Sequence, residues 1–327
     1  MRNVSVAIVS IVCVLPSLVA RAQAPVGTHA KVLHLTAPHI VIDQPGMYVL
    51  DRNWVVPGTG RIIEITADDV VFDLKDFSID LRIEPGENSG IGVFITGANV
   101  TLRRGKIIAT GSSGPDVLWT DGASTLIDTM QMETGAFGEL ILNGPDAEVR
   151  NSSLKAPQGM RTHVFAERYL VEGNRIDCVS RCLIAGADGV VRNNQLYRSD
   201  DTGVEDPMVL VAGARTTFEN NYLENVEVFT SAITVSGTQH VIADNTMILT
   251  RGLFSGFAIL VDERNSNRNV INGNIASHAS TDRRWEIGIG FMPGSSNNFF
   301  GDNRMEAFVP VLLQNTPQVD WGGNIGY

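Results

Sequence analysis

The sequence predicts an all-β fold, a right-handed parallel β-helix solenoid of about eleven coils, and three observations support it. An Asn recurs in a fixed frame through the second half of the chain. The residue before it is always of a type that tolerates a left-handed backbone. A short apolar run precedes each such turn.

The frame is read from the second residue of each turn pair: Asn174, Asn194, Asn221, Asn245, Asn274, Asn303 and Asn324, spaced by 20, 27, 24, 29, 29 and 21 residues. Three positions earlier stand Val171, Val191, Phe218, Ile242, Ile271, Phe300 and Trp321, an apolar row expected to face a core. Immediately before each Asn come Gly173, Asn193, Asn220, Asp244, Gly273, Asp302 and Gly323, the residues that turn a tight corner with least strain. If each repeat is one coil, successive Asn side chains lie about 4.8 Å apart, so each amide donates to one neighbouring coil and accepts from the other. Such a ladder satisfies buried amides that would otherwise be costly.

Two other solenoids fail on pattern. A leucine-rich repeat wants Leu five positions before the Asn, where this chain reads Tyr169, Gly189, Thr216, His240, Asn269, Asn298 and Val319. A left-handed β-helix would hold a strict hexapeptide period, which is absent. Three brief strands per coil remain, with one connection of variable length.

Taken in order, residues 1–22 read as an export signal. Arg2 precedes an apolar run from Val4 to Val19, and a small-residue cleavage site ends at Ala22, with Ala24 as the alternative. Cys13 lacks the small residue that a lipoprotein signal would place before it. No later run reaches the roughly 20 apolar residues that a membrane helix needs, so membrane insertion is not expected and a periplasmic or secreted chain is. Residues 23–64 read as an N-terminal cap and first coil, with "IDQPGMYVL" (42–50) closing that end, and 65–327 as the β-helix proper. Within it, "ITADDVVFDLKDFSI" and "ITGANVTLRRGKII" align strand for strand with the Asn replaced. About eleven coils make a rod near 50 Å long. The last coil leaves Trp321 and Tyr327 beside an open edge, which invites pairing with a partner or a second copy, a homo-oligomer.

Cys178 and Cys182, in an oxidising compartment, fit a short disulfide pinning one loop better than a redox pair or a structural zinc site. Loss of Arg2 and Arg21 with the signal takes the formal charge from −11 to −13. Nucleic acid is therefore not an expected partner, and an anionic polymer would need a local basic patch or a bridging cation.

With the repeat and these two segments in view, the chain resembles the pectate-lyase-like right-handed β-helix superfamily, in particular secreted bacterial members that open with a "QPG-x-Y-x-L" coil and "ITADDVVFDL". The resemblance spans essentially the whole mature chain and implies polysaccharide chemistry: Ca²⁺-assisted uronate lyases, galacturonan hydrolases with Asp pairs, or epimerases. None of the motifs of those enzymes ("NTD", "GHG", "RIK", "DPHD") occurs here, so fold alone is implied.

The variable connection of each coil stacks into one wall. Along it stand Asp116, Trp119, Arg161, His163, Arg181, Phe229, Arg251, Phe254 and "TDRRWE" with Arg283 and Trp285. Trp119, Arg161, His163, Arg181, Phe254 and Trp285 are candidate sugar contacts, the rings for stacking and the polar groups for fixing hydroxyls. The bland alternative is that long solvated loops collect polar residues. Asp200, Asp201, Glu205 and Asp206 form the densest acidic run, a candidate Ca²⁺ site for holding a uronate carboxylate. Asp200, Asp201, Arg251 and Arg283 are the candidate catalytic residues, although Arg is a weak base unless strongly shifted. His240 and His163 are expected to be packing or surface histidines. A stripe of Phe94, Ile141, Val164, Leu183, Leu210, Thr234 and Leu260 is expected to point outward on the first strand of each coil. The two expected functions are therefore polysaccharide binding or processing along the wall, and a non-catalytic scaffold that self-associates through the apolar stripe or the open end.

Overall fold

A computed structural model describes residues 31–33, 39–82, 90–110, 116–134, 138–156, 162–164, 166–199, 206–225, 231–250, 256–262, 266–279, 285–314 and 316–326. The signal segment lies outside them. Among the described residues every strand pairing is parallel, and the chain winds as a three-faced solenoid. The first face stacks twelve strands, from Ile40–Ile42 to Ala307–Leu313. The second and third faces join into one 23-stranded sheet because Thr101–Thr110 and Leu126–Glu133 each bend through both. The bends fall at Arg104 and Thr129, whose φ values are 51° and 56°. The segment 39–64 already belongs to the stack: Ile40, Val41 and Ile42 lie in register with Ile63, Glu64 and Ile65.

The expected left-handed corners are all present. Gly173, Asn193, Asn220, Asp244, Gly273, Asp302 and Gly323 have φ between 51° and 73°. Behind each corner an Asn side chain enters the core, and the ladder runs unbroken from Asn174 to Asn324 with Nδ2–Oδ1 distances of 2.9–3.1 Å. Each Oδ1 also accepts the backbone N–H of the preceding rung, as when Asn194 donates to Asn221 at 3.0 Å. Ser152 begins the column, its amide donating to Asn174 at 2.9 Å. In an earlier coil the buried Asp73 holds the corner instead, bonded to the Lys75 amide, Arg103 and Arg104. Burial pushes its carboxyl up, but the Arg104 and Lys75 hydrogen bonds and the two guanidinium charges outweigh this and hold it below the usual carboxylate range.

A second ladder runs along the other turn of the coil. The Thr216 amide donates to His240 Nδ1 at 3.1 Å, the His240 amide to Asn269 Oδ1 at 2.8 Å, Asn269 to Asn298 at 3.0 Å, and the Asn298 amide to Gln318 Oε1 at 2.9 Å. Its rungs are the residues five before each Asn, except that Gln318 takes the place of Val319. One coil lower, Tyr169 lies over Gly189, whose missing side chain makes the room: a Cβ there would sit 2.0 Å from the ring.

Between the faces lies one continuous apolar core, with Phe72, Phe218, Phe291 and Ile63 among its fully buried members. The outward row of the first face corrects the expected stripe at two coils. Val164 and Leu183 point into the core at 0% exposure, and His163 and Ile184 take the outward places, in register with Ile141 and Leu210. The row runs Phe94, Trp119, Ile141, His163, Ile184, Leu210, Thr234, Leu260. Trp321 also departs from expectation. A register shift after Phe300 pairs that residue with Asp320, so Trp321 bulges outward over Phe299, with ring centroids 5.4 Å apart. The last coil leaves Phe308, Trp321 and Ile325 exposed at 60%, 54% and 50%.

Candidate functional site

The N-terminal half of the first face brings titratable and aromatic groups together on neighbouring coils. Parallel stacking explains why. A residue ahead of one strand lies beside its counterpart one coil on, so like positions accumulate into a column. Asp116 opens the strand Asp116–Thr120, and Glu139 stands just before Leu140–Leu142, the next strand in the stack. The Glu139 amide donates to Asp116 Oδ1 at 2.9 Å. One coil further, His163 Nδ1 lies 3.9 Å from Glu139 Oε2. Burial pushes the Asp116 carboxyl up to about 6; the Glu139 charge pushes the same way and the Glu139 amide opposes it. A carboxyl with that shift is protonated in part near neutrality, as a general acid must be.

The strand that Asp116 opens also carries an aromatic platform. Trp119 sits in register between Phe94 and Ile141, and its Nε1 donates to Asp121 Oδ1 at 2.9 Å. Asn143 donates to the same oxygen at 3.0 Å. On the far side of Phe94, the Arg61 guanidinium lies 3.8 Å from the ring centroid and pairs with Glu64 at 2.9 Å. An aromatic face fixed by its own hydrogen bond offers stacking area at little entropic cost.

The expected site residues divide into four groups. Trp119 and His163 share the outward row of the first face, two coils apart, with Asp116 opening the strand of Trp119. Arg181 and Asp206, expected to serve sugar and metal separately, pair with each other instead. Trp285 is a correction: its strand begins at that residue and turns the ring inward, 1% exposed, with Nε1 donating to Ser277 O at 3.1 Å, so it offers no stacking face. Asp200, Asp201, Glu205, Arg161, Arg251, Phe254 and Arg283 lie outside the described residues. Among the described residues no three His, Cys, Asp or Glu side chains stand together as a metal site. Cys178 and Cys182 are joined, with Cα atoms 5.2 Å apart, and tie the third-face strand Arg175–Cys178 to the next first-face strand. Glu139 was missed by sequence reasoning, although a signal existed. "FGE" precedes "LIL" as "PDV" precedes "LWT", which puts a carboxylate within two residues ahead of consecutive first-face strands.

No protein-family model matches the chain, and no curated protein matches it in sequence. Solved structures do. A tailspike protein mutant of E. coli bacteriophage HK620 in complex with a pentasaccharide aligns at 11% identity with a TM-score of 0.64, covering 86% of this chain and 60% of that one. A double mutant of the same tailspike, with an aspartate and a glutamate replaced, gives 12% identity and a TM-score of 0.66. The Dettilon tailspike protein gives 14% and 0.54, covering 89% of this chain and 61% of that one. The chain thus spans about three fifths of the length of these proteins. Likeness at this level concerns the fold alone: the solenoid is a right-handed parallel β-helix.

Proposed function

We propose that this protein is an exported β-helix protein that binds a polysaccharide lengthwise on the outer first face and cleaves it there by acid–base hydrolysis. The observation that carries the reading is the placement of Asp116 and Glu139 on adjacent coils at the head of two stacked first-face strands, the first of which also carries Trp119. A polymer lying along the rod would meet these groups in succession, with a ring stacked on Trp119. Asp116, its carboxyl raised to about 6, gives its proton to the glycosidic oxygen. Glu139 activates water or attacks the sugar, the two roles that the second carboxyl group takes in glycoside hydrolysis. The tailspike bound to a pentasaccharide supports a glycan on such a solenoid. A calcium-assisted lyase, the other expected chemistry, has its candidate residues Asp200, Asp201, Arg251 and Arg283 outside the described residues.

The test is release of reducing ends from a panel of polysaccharides by the mature chain. Asp116→Asn and Glu139→Gln should each lower kcat by about a hundredfold or more with the fold retained. The pH profile separates catalysis from structure. An acid that must be protonated gives a rate that falls about tenfold per unit as pH rises above its pKa, here above about 6. A purely structural Asp116 would change the melting temperature and leave no such limb.

One observation favours a second reading, a scaffold that self-associates end to end: the exposed Phe308, Trp321 and Ile325 of the last coil. Under that reading the wild-type chain sediments as an oligomer and Trp321→Arg as a monomer, with no sugar released by either.

A further inference from the structure

We infer that the glycan taken by the first face is uncharged, and that this face turns polyuronates away. The inference rests on reading that face as a glycan site and adds the substrate class.

Charge on the face supports it. Among the described residues the cation bordering the platform is already engaged, Arg61 with Glu64 at 2.9 Å, and three coils on Arg181 is engaged by Asp206. His163 lies 3.9 Å from Glu139. Asp116 and Asp121 take their hydrogen bonds from neutral donors, the Glu139 amide, the Trp119 indole and the Asn143 amide. Among the described residues around Trp119, outside the Arg61–Glu64 pair, three carboxyl groups, Asp116, Asp121 and Glu139, therefore stand against one histidine. The upward push that Glu139 gives the Asp116 carboxyl agrees with a negative local potential.

A polyuronate carries a carboxylate on every sugar. Laid along a rod whose coils repeat at about 4.8 Å, it cannot keep those groups away from the face. Each like-charge contact at about 4 Å weakens binding by roughly fivefold even at the dielectric of water, and by more where the site is half-buried. The chain's formal charge of −11 repels the same polymer at longer range. Hydroxyl-rich, uncharged sugars carry no such penalty. They supply donors that the three carboxyl groups accept and an apolar ring face for Trp119.

The experiment measures affinity of the mature chain for dextran, mannan and chitin oligosaccharides against polygalacturonate and alginate, each with a chelator and again with Ca²⁺. The expected result is an uncharged glycan bound at least about tenfold more tightly than either polyuronate under both conditions. Its affinity should also be nearly insensitive to salt, because no ion pair is formed. The double variant D116N/E139Q, checked for fold by circular dichroism, should narrow the gap by strengthening polyuronate binding. Polyuronate binding as tight as the best uncharged glycan, with or without Ca²⁺, overturns the inference and leaves the glycan site standing. Failure of every glycan to bind removes the site itself, and the inference with it.

Discussion

Asn221 makes plain what one side chain does in this fold. Its Nδ2 donates to Val191 O and Asn245 Oδ1 at 3.0 and 3.1 Å, and its Oδ1 accepts two N–H groups of Asn194. Asn221→Ala leaves buried donors and acceptors unmet on both sides, so it should cost about 3 kcal/mol in a denaturant titration. Asn324→Ala, at a half-exposed rung, should cost about 1 kcal/mol. His240 plays a similar part with a titratable ring. Fully buried, it accepts the Thr216 amide on Nδ1, and burial lowers its pKa below 6.5 despite hydrogen bonds that oppose the shift. Protonation would set one N–H against another. Because the unfolded chain binds the proton more readily, stability is unaffected well above pH 6.5 and declines as pH falls below it, by up to about 1.4 kcal/mol per unit. His240→Asn, the residue type found at Asn269 and Asn298 of the same column, should remove that part of the acid loss. Melting temperatures of both proteins between pH 7.5 and 5 check this.

At the scale of the element, what could be read in the sequence depended on contrast. The Asn frame stood out because polar residues recur there against apolar neighbours, and the left-handed corners followed from residue type. The second ladder was hidden because its rungs differ, Thr216, His240, Asn269, Asn298 and Gln318, and only the backbone register shows that they stack. The outward row went astray at Leu183 because both alternating positions of Leu183–Ala185 hold buried apolar residues, leaving the period of two nothing to distinguish, and at Val164 because a polar His163 holds the outward place in an otherwise apolar row. Trp321 was misread because no spacing announces a bulge. Asp116 was visible as a wall residue, but its partnership with Glu139 arises between coils and has no linear distance to betray it. A test at this scale is Gly189→Ala. The added methyl meets the Tyr169 ring, itself 3% exposed and hydrogen-bonded to Gly186 O. Destabilisation of about 1–3 kcal/mol is expected, read by chemical unfolding, and Tyr169→Leu in the same chain should recover part of it.

For the whole molecule, a solenoid exchanges contacts only between successive coils, so its stability is close to a sum along the rod. The first-face carboxyl pair and the exposed last coil are far apart in the stack. Substitutions at Asp116 and at Trp321 should therefore add in their effects on unfolding, within about 0.5 kcal/mol. A double-mutant cycle by denaturant titration measures the departure. The same separation allows glycan binding at one end and association at the other to be tested independently.

The Asn column has a direction. Every amide carbonyl in it accepts from the preceding coil, and every rung donates onward, so the side-chain dipoles add head to tail as peptide dipoles add in a helix. Such a column has a positive pole where the last N–H points out, at Asn324. An anion stands there: Asp320 accepts from Asn324 Nδ2 at 2.8 Å. The solenoid therefore carries the counterpart of a capped helix terminus, built from side chains alone, with a carboxylate seated at the end of an aligned stack of amides.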